Sequence, residues 1–384
     1  MHSRLHRRTW MARLIVAITL FGVIWVGCID NLNQPTAPPE EQALKAGPAP
    51  GDVLSAANPR VQEIMAVQNR HTPSLMADRN VVGTATGLGP DGKPAILVFT
   101  AEPSESGTMP ASLDGVPVVE QVTGRLVAKK GGGGGVSHTA KQTPPIQLGT
   151  SGGWRYDLAN GFCCGGTLGS LIQKAGTQFV LSNYHVLYSD IVNGGNGRTA
   201  QPGDPVIQPG LIDVGCNANN AQNVATLVVG GGSLPGANVD AGIAEVITNM
   251  VRPDGAILEV GTISATPIAA SVGQAVKKSG RTTALSRSTV SGLNGTVQIG
   301  YENECAGGSS FTKTFTGQII IANRACKFLD GGDSGSLMVQ DVTTNPRPVG
   351  LLYAGSVICG GSAVAIANPI GDVLAFYGAT MVGN

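Results

Sequence analysis

Gly331-Gly332-Asp333-Ser334-Gly335-Ser336, near the end of a 384-residue chain, is the segment against which every other part is placed. A serine hydroxyl attacks poorly until a neighbouring base takes its proton, and attack on a carbonyl creates an oxyanion that needs preorganised donors. Glycines on both sides of Ser334 let the backbone turn tightly and approach another group without Cβ clashes. The amides of Gly332 and Ser334 are therefore the candidate oxyanion donors. The segment is not the other common serine elbow, because Ser336 takes the last position of Gly-x-Ser-x-Gly.

The candidate base comes from five histidines, His2, His6, His71, His138 and His185. His2 and His6 lie in a charged N-terminal leader and His71 in a helical region. His138 follows a glycine run, where nothing local is expected to hold a ring. His185 ends the apolar run Phe179-Val180-Leu181-Ser182-Asn183-Tyr184-His185-Val186-Leu187, a strand end that can fix an imidazole. The carboxylate to orient that ring is expected at Asp240, heading the alternating stretch Ala241-Gly242-Ile243-Ala244-Glu245-Val246, with Asp213 as the rival.

In chain order this gives His185, Asp240 and Ser334, with intervals of 55 and 94 residues. That order and spacing resemble the chymotrypsin/trypsin-like serine peptidases. The likeness runs over residues 160–384. Phe162-Cys163-Cys164-Gly165-Gly166-Thr167-Leu168 is similar to the strand before that family's catalytic histidine. Gly350-Leu351-Leu352-Tyr353-Ala354-Gly355 is similar to the strand lining its specificity pocket. Ser-Asn-x-His-Val and Gly-Asp-Ser-Gly-Ser resemble the bacterial secreted members most. The resemblance implies a mainly β fold, a double β-barrel with a C-terminal helix, here preceded by a small α+β N-terminal domain. It further implies an exported serine endopeptidase that works through an acyl-enzyme without a cofactor. Ser334 would be its nucleophile, His185 its base, Asp240 the orienting acid, and Gly332 with Ser334 the oxyanion hole. Phe328, Tyr353, Ala354 and Gly355 would line the substrate pocket. Two alternatives are a catalytically silent fold serving as an envelope-anchored binding module and a self-processing protease of narrow specificity.

The departures from that family carry information. Val186 replaces the cysteine that follows the histidine in animal members, and Tyr353 replaces the serine that supports the aspartate. Phe328 stands where Lys/Arg-selective members place a carboxylate, and Leu352 where Glu-selective members place a histidine, so neither selectivity is expected. No Ile-Val-Gly-Gly start follows the glycine run. Asp333 is therefore expected to hold the loop by local hydrogen bonds instead of pairing with a new N-terminus.

The rest of the chain frames this region. Formal net charge is zero and charged residues are 13%, which argues against a nucleic-acid partner; a protein or peptide substrate is expected. Fifty-five glycines with 42% hydrophobic residues suit a loop-rich β protein. Residues 1–28 read as a signal peptide, with four arginines before the apolar run Leu14 to Val26, which is shorter than the ~20 residues of a spanning helix. Gly27-Cys28 is similar to a lipoprotein cleavage site, making Cys28 the candidate for lipidation and membrane attachment. Residues 29–58 are expected to be a disordered tether and 59–130 a small α+β, propeptide-like unit. In that unit a helix ends before Pro73 and strands cover 81–88, 95–100 and 116–127, with a hairpin turn at Gly89-Pro90-Asp91-Gly92. Residues 131–140 are a Gly-rich linker after Lys129-Lys130, and 141–384 the peptidase-like domain, with a strand expected at 257–264 among others. The domain is expected to end in a helix capped by Asn368.

Seven cysteines less Cys28 leave an even number, consistent with disulfides in an oxidising compartment, and Cys305–Cys326 is the expected pair. Cys163-Cys164 has no Cys-x-x-Cys mate, so no metal site is expected.

Overall fold

The computed structural model describes residues 54–128, 136–159, 162–188, 198–234, 236–301 and 310–384. The signal segment with Cys28, most of the tether, the five glycines and Cys305 lie outside these residues.

Helix α1 spans Pro59–Leu75, with the Asn58 side chain accepting the Arg60 amide at 2.9 Å and Pro59 in the first turn. It runs through Pro73, placed in the last turn, where the Thr72 hydroxyl bonds Gln68 O and the Met76 amide closes on Thr72 O. Strands β1 (Val81–Leu88) and β2 (Pro94–Thr100) form the expected hairpin, with Gly92 at φ +75° in its turn. The expected strand 116–127 breaks at Gly124 into β3 (Val116–Val122), parallel to β2, and β4 (Leu126–Ala128).

The first barrel is built from β5 (Thr150–Trp154), β6 (Gly166–Leu168), β7 (Ser170–Lys174), β8 (Thr177–Ser182), β9 (Pro205–Gln208), β10 (Gln222–Gly232) and β11 (Gly242–Val246). The strand order is β6-β5-β9-β10-β11-β8-β7. The short strand Thr380–Met381 pairs outside β7, and only Gly169 separates β7 from β6 at the far side of the sheet, so one bent stretch joins the two sides and the sheet closes on itself. The one-turn helix α2 (Tyr184–Leu187) follows β8.

The second barrel comprises β12 (Ala275–Lys278), β13 (Ser286–Tyr301), β14 (Phe311–Ala322), β15 (Leu337–Gln340), β16 (Pro348–Ser356) and β17 (Val364–Pro369). Its order is β12-β15-β16-β17-β14-β13, and β13 pairs again with β12 to close it. Helix α3 (Ile370–Tyr377) ends at Gly378 in the left-handed region, and its buried Ile370, Val373, Leu374 and Tyr377 join the core of the first barrel. The chain is thus mainly β, a double barrel with a C-terminal helix. The strand expected at 257–264 does not form; Ile257, Val260 and Ile263 are buried from turns.

Residues 54–128 do not stand apart from the second barrel. β1 pairs with β13 (Gly83 opposite Val297, Gly87 opposite Gly292), and β4 lies between β13 and β16. The described residues from Leu54 to Asn384 fall in one compact unit. The cause is visible in β1 and β2, which are buried on both faces; a lone hairpin cannot cover both.

Candidate active site

The local structure around His185 follows from the strand that ends there. β8 delivers Asn183 in extended conformation, and the single turn of α2 then points the ring across to the loop before β11. His185 Nδ1 lies 2.7 Å from Asp240 Oδ2, with the imidazole 3% and the carboxylate 0% exposed. A carboxylate only accepts, so Nδ1 carries a proton, and in the neutral ring the lone pair is then on Nε2. Nε2 is buried without a hydrogen-bond partner among the described residues, which leaves it poised to accept a proton.

Asp240 is held from every side. Oδ1 accepts the amides of Tyr184 at 2.8 Å and His185 at 3.4 Å, and Oδ2 also accepts the Tyr301 hydroxyl at 2.8 Å. Tyr301 thus takes the supporting role that Tyr353 does not fill; burial, reinforced by the Asp240 charge, pushes its phenol well above the ordinary tyrosine range. The Asp240 backbone is clamped by Asn183 Nδ2 on its carbonyl (2.7 Å) and by Asn368, whose Oδ1 accepts the Asp240 amide at 3.1 Å while Nδ2 donates to the same carbonyl at 3.2 Å. Asn368 was expected to cap α3. The capping position is Pro369, and the Asn368 side chain turns inward to Asp240 instead. The rival Asp213 is engaged elsewhere, in a two-pronged pair with Arg281 at 2.6 Å on both contacts.

Ser334 sits on a loop locked between the barrels. Its carbonyl accepts the Thr167 amide at 2.8 Å, and the Thr167 hydroxyl reaches Gly332 O at 2.9 Å. The approach is so close that a Cβ on Gly169 would lie 1.9 Å from Gly335 O. Gly332, at φ +96°, has Thr282 Oγ1 and Arg281 Nη1 where a side chain would begin, so only glycine fits. Among the hydrogen bonds of the described residues, the amides of Gly332 and Ser334 donate to no protein acceptor. Those are the two N–H groups expected to serve an oxyanion. Ser334 is fully buried, and its hydroxyl donates to Tyr353 O at 3.0 Å instead of to His185 Nε2.

Asp333 answers the question raised by the missing N-terminal sequence. Its Oδ1 lies 3.0 Å from Lys278 Nζ, both side chains fully buried. The amides of Thr282, Thr283 and Asp330 and the Thr283 hydroxyl supply further donors at 2.7–3.1 Å. An internal ammonium therefore sits beside Asp333, together with the local hydrogen bonds expected. Burial pulls the Lys278 amine below the ordinary lysine value, opposed by the Asp333 charge.

Of the four residues expected to line a pocket, two lie in the apolar core and two on a strand paired with β4. Phe328 is 2% exposed in the apolar core of the second barrel. Tyr353 is fully buried in the cluster that holds Tyr301, Phe315 and Leu126. Ala354 and Gly355 lie on β16 opposite Ala128 and Val127. Phe328 and Tyr353 were carried over from the resemblance by their spacing to Ser334, which does not distinguish a pocket wall from core. His138 is also corrected: it is 1% exposed and fixed at both nitrogens, by Gly149 O at 3.0 Å and Glu259 Oε2 at 2.8 Å, partners far away in sequence. Cys326 pairs with Cys359, not with Cys305, because Cys359 follows β16 and meets the turn containing Cys326 across the barrel end. Cys163 pairs with Cys216.

Comparison with known proteins adds the following. A sequence profile described as the Nal1 C-terminal domain matches residues 216–368, a span that includes Asp240 and Ser334 and leaves His185 outside. No curated protein matches the chain. Among solved structures, a glutamic acid-specific serine protease described as using a histidine triad in substrate binding is 18% identical, covers 62% of this chain and 100% of its own, with a TM-score of 0.41. Thermobifida fusca protease A is 18% identical over 62% of this chain and 99% of its own, at a TM-score of 0.37. A Nocardiopsis protease is 16% identical over 60% and 97%, at 0.38. The chain is similar to bacterial chymotrypsin-like serine proteases.

Proposed function

We propose that the chain is an exported serine endopeptidase whose triad is His185, Asp240 and Ser334. The observation that carries the reading is the buried His185–Asp240 pair at 2.7 Å, with Nε2 and two amides of the serine loop left without partners among the described residues. In the reaction, the Ser334 hydroxyl leaves Tyr353 O, gives its proton to His185 Nε2 and attacks the substrate carbonyl. Asp240 holds the ring in the tautomer that accepts this proton and stabilises the imidazolium that results. The Gly332 and Ser334 amides meet the oxyanion, where losing one donor costs about 3 kcal/mol of transition-state stabilisation. The imidazolium then protonates the leaving amine, and water completes the cycle by the same route. No cofactor enters. The substrate is a protein or peptide, and neither Lys/Arg nor Glu selectivity is proposed, since Phe328 and Leu352 present no carboxylate or histidine.

Export accords with the leader sequence and with the Cys163–Cys216 and Cys326–Cys359 bridges, which fit an oxidising compartment. Cys28 is the proposed point of lipid attachment to the envelope. The second reading, a silent binding module, draws on the Ser334 hydroxyl being bonded to Tyr353 O. A short alkyl fluorophosphonate, which needs an activated nucleophile and no extended subsites, separates the two. We expect an adduct on Ser334 in the wild-type chain, formed at least a thousandfold more slowly in His185→Ala. No adduct on the folded wild-type chain, or equal rates in the two, would refute the peptidase reading.

A further inference from the structure

We propose that Arg281 and Thr282 are positioning residues for the oxyanion, acting through the Gly331–Gly332 peptide on a hydrogen-bonded chain anchored at Asp213; the inference rests on Ser334 being the nucleophile. The chain begins in the first barrel. Asp213 ends the turn Leu211–Asp213 between β9 and β10, where its Oδ2 also accepts the Ser151 hydroxyl at 2.5 Å. Its two oxygens hold Nε and Nη2 of Arg281, whose side chain is 1% exposed. The third nitrogen, Nη1, points away from that carboxylate. It donates to Thr282 Oγ1 at 3.1 Å, and the Thr282 hydroxyl in turn donates to Gly331 O at 2.5 Å.

Gly331 O and the Gly332 amide belong to one peptide unit. A trans peptide is planar, with its C=O and N–H pointing in opposite directions, so fixing the carbonyl fixes where the amide aims. That amide is one of the two on the serine loop that donate to no protein acceptor among the described residues. The next peptide is fixed from the same source: Thr167 Oγ1 accepts the Arg281 amide at 2.9 Å and donates to Gly332 O at 2.9 Å. The loop also rests directly on the chain, since a Cβ on Gly332 would lie 2.6 Å from Thr282 Oγ1 and 2.8 Å from Arg281 Nη1. Charge adds to geometry. The guanidinium stands between Asp213 and the peptide with its positive end toward Thr282, and donors in series polarise one another, which strengthens the Gly332 N–H as a donor where negative charge develops. The chain thus serves the oxyanion, while proton transfer stays with His185 and Asp240.

The test compares acylation of Ser334 by two esters that differ in the atom receiving the charge. p-Nitrophenyl acetate places it on oxygen, whereas p-nitrophenyl thionoacetate places it on sulfur, a weak acceptor that draws little on the amides. Thr282→Val keeps the branched shape and removes the hydroxyl. We expect its acylation by the oxo ester to slow roughly ten- to a hundredfold, with the thiono ester within about threefold of wild type. Thr282→Ser restores the hydroxyl and should return the oxo-to-thiono ratio to within about threefold of wild type. Arg281→Lys keeps a cation for Asp213 but has no second prong for Thr282, and should lower the ratio by about fivefold or more. Thermal melting establishes that each variant is folded. Equal slowing of both esters in Thr282→Val, a Thr282→Ser ratio as low as that of Thr282→Val, or an unchanged ratio in Thr282→Val or Arg281→Lys would overturn the proposal and leave the peptidase reading intact. No acylation of the folded wild-type chain by either ester would overturn both readings.

Discussion

Tyr301 and Lys278 carry the chemistry that distinguishes this site at the level of single residues. The Tyr301 hydroxyl is one of two donors on Asp240 Oδ2, and its ring stacks on Phe311 at 4.8 Å, so Tyr301→Phe removes the donor while keeping the packing. A hydrogen bond to a charged group is worth about 1.5–3 kcal/mol, and we expect Ser334 labelling by the short alkyl fluorophosphonate to slow roughly ten- to a hundredfold. A rate within twofold of wild type would mean that the amides of Tyr184 and His185 suffice to hold the carboxylate. Lys278→Met leaves the Asp333 charge buried without its counter-ion and should cost about 3–5 kcal/mol in chemical denaturation. The double variant Lys278→Met/Asp333→Asn should lose less than the sum of the singles, because neither charge is then stranded. The pairing of His185 with Asp240 was legible because each carries a local signature and the two stand in the expected order. Tyr301 was not. Val297, Ile299 and Tyr301 alternate as buried positions, which marks the tyrosine as inward-facing, but only the folded barrel brings it to Asp240. Asn368 misled for a related reason: Asn before Pro reads as a cap, and a cap and an inward clamp have the same sequence.

Among the elements, the strands flanking the site were anticipated where a short apolar or alternating run stands between turn residues, as in β8, β11 and β16. β13 was missed. It begins with the polar run Ser286-Arg287-Ser288-Thr289 and shifts register on β14 between Val290 and Gly292, Gly292 and Gly295, and Gly295 and Val297, so no single period spans it. Bulges of this kind are how one strand can bend through a barrel and also receive β1 and β4. The Cys326–Cys359 bridge closes a 33-residue interval containing Ser334 and Tyr353, both ends of the hydrogen bond that holds the serine hydroxyl. Constraining such an interval in the unfolded chain is worth roughly 3–4 kcal/mol, so Cys326→Ser/Cys359→Ser should lower the denaturation free energy by about that amount. A loss below 1 kcal/mol would show that the turn carrying Cys326 is fixed by its other contacts. Among these is Asn323, which bonds the Phe328 and Leu329 amides at 3.0 Å.

For the whole molecule, the segment 54–128 belongs to the architecture of the second barrel. Val82, Ala85, Leu97, Phe99 and Leu126 share one apolar cluster with Tyr301, Phe315 and Tyr353, the residues behind Asp240. The helix and hairpin of this segment were legible; its incorporation into the barrel sheet was not, because strand pairing over some 200 residues of chain leaves no local trace. Expressed alone, residues 136–384 should bind a hydrophobic dye and lack a cooperative melt, and supplying 54–128 as a separate chain should restore both a cooperative melt and Ser334 labelling. A cooperatively folded, reactive 136–384 fragment would show that the segment is dispensable. The central claim is that His185 activates Ser334 for acyl transfer. The measurement that tests it most directly is the burst of p-nitrophenol from p-nitrophenyl acetate, an ester small enough to need no extended subsites, with mass spectrometry of the quenched protein. The account predicts a burst approaching one equivalent with the acetyl group on Ser334, absent in Ser334→Ala and His185→Ala. No burst from the folded wild-type chain, or an unchanged burst in His185→Ala, would contradict it.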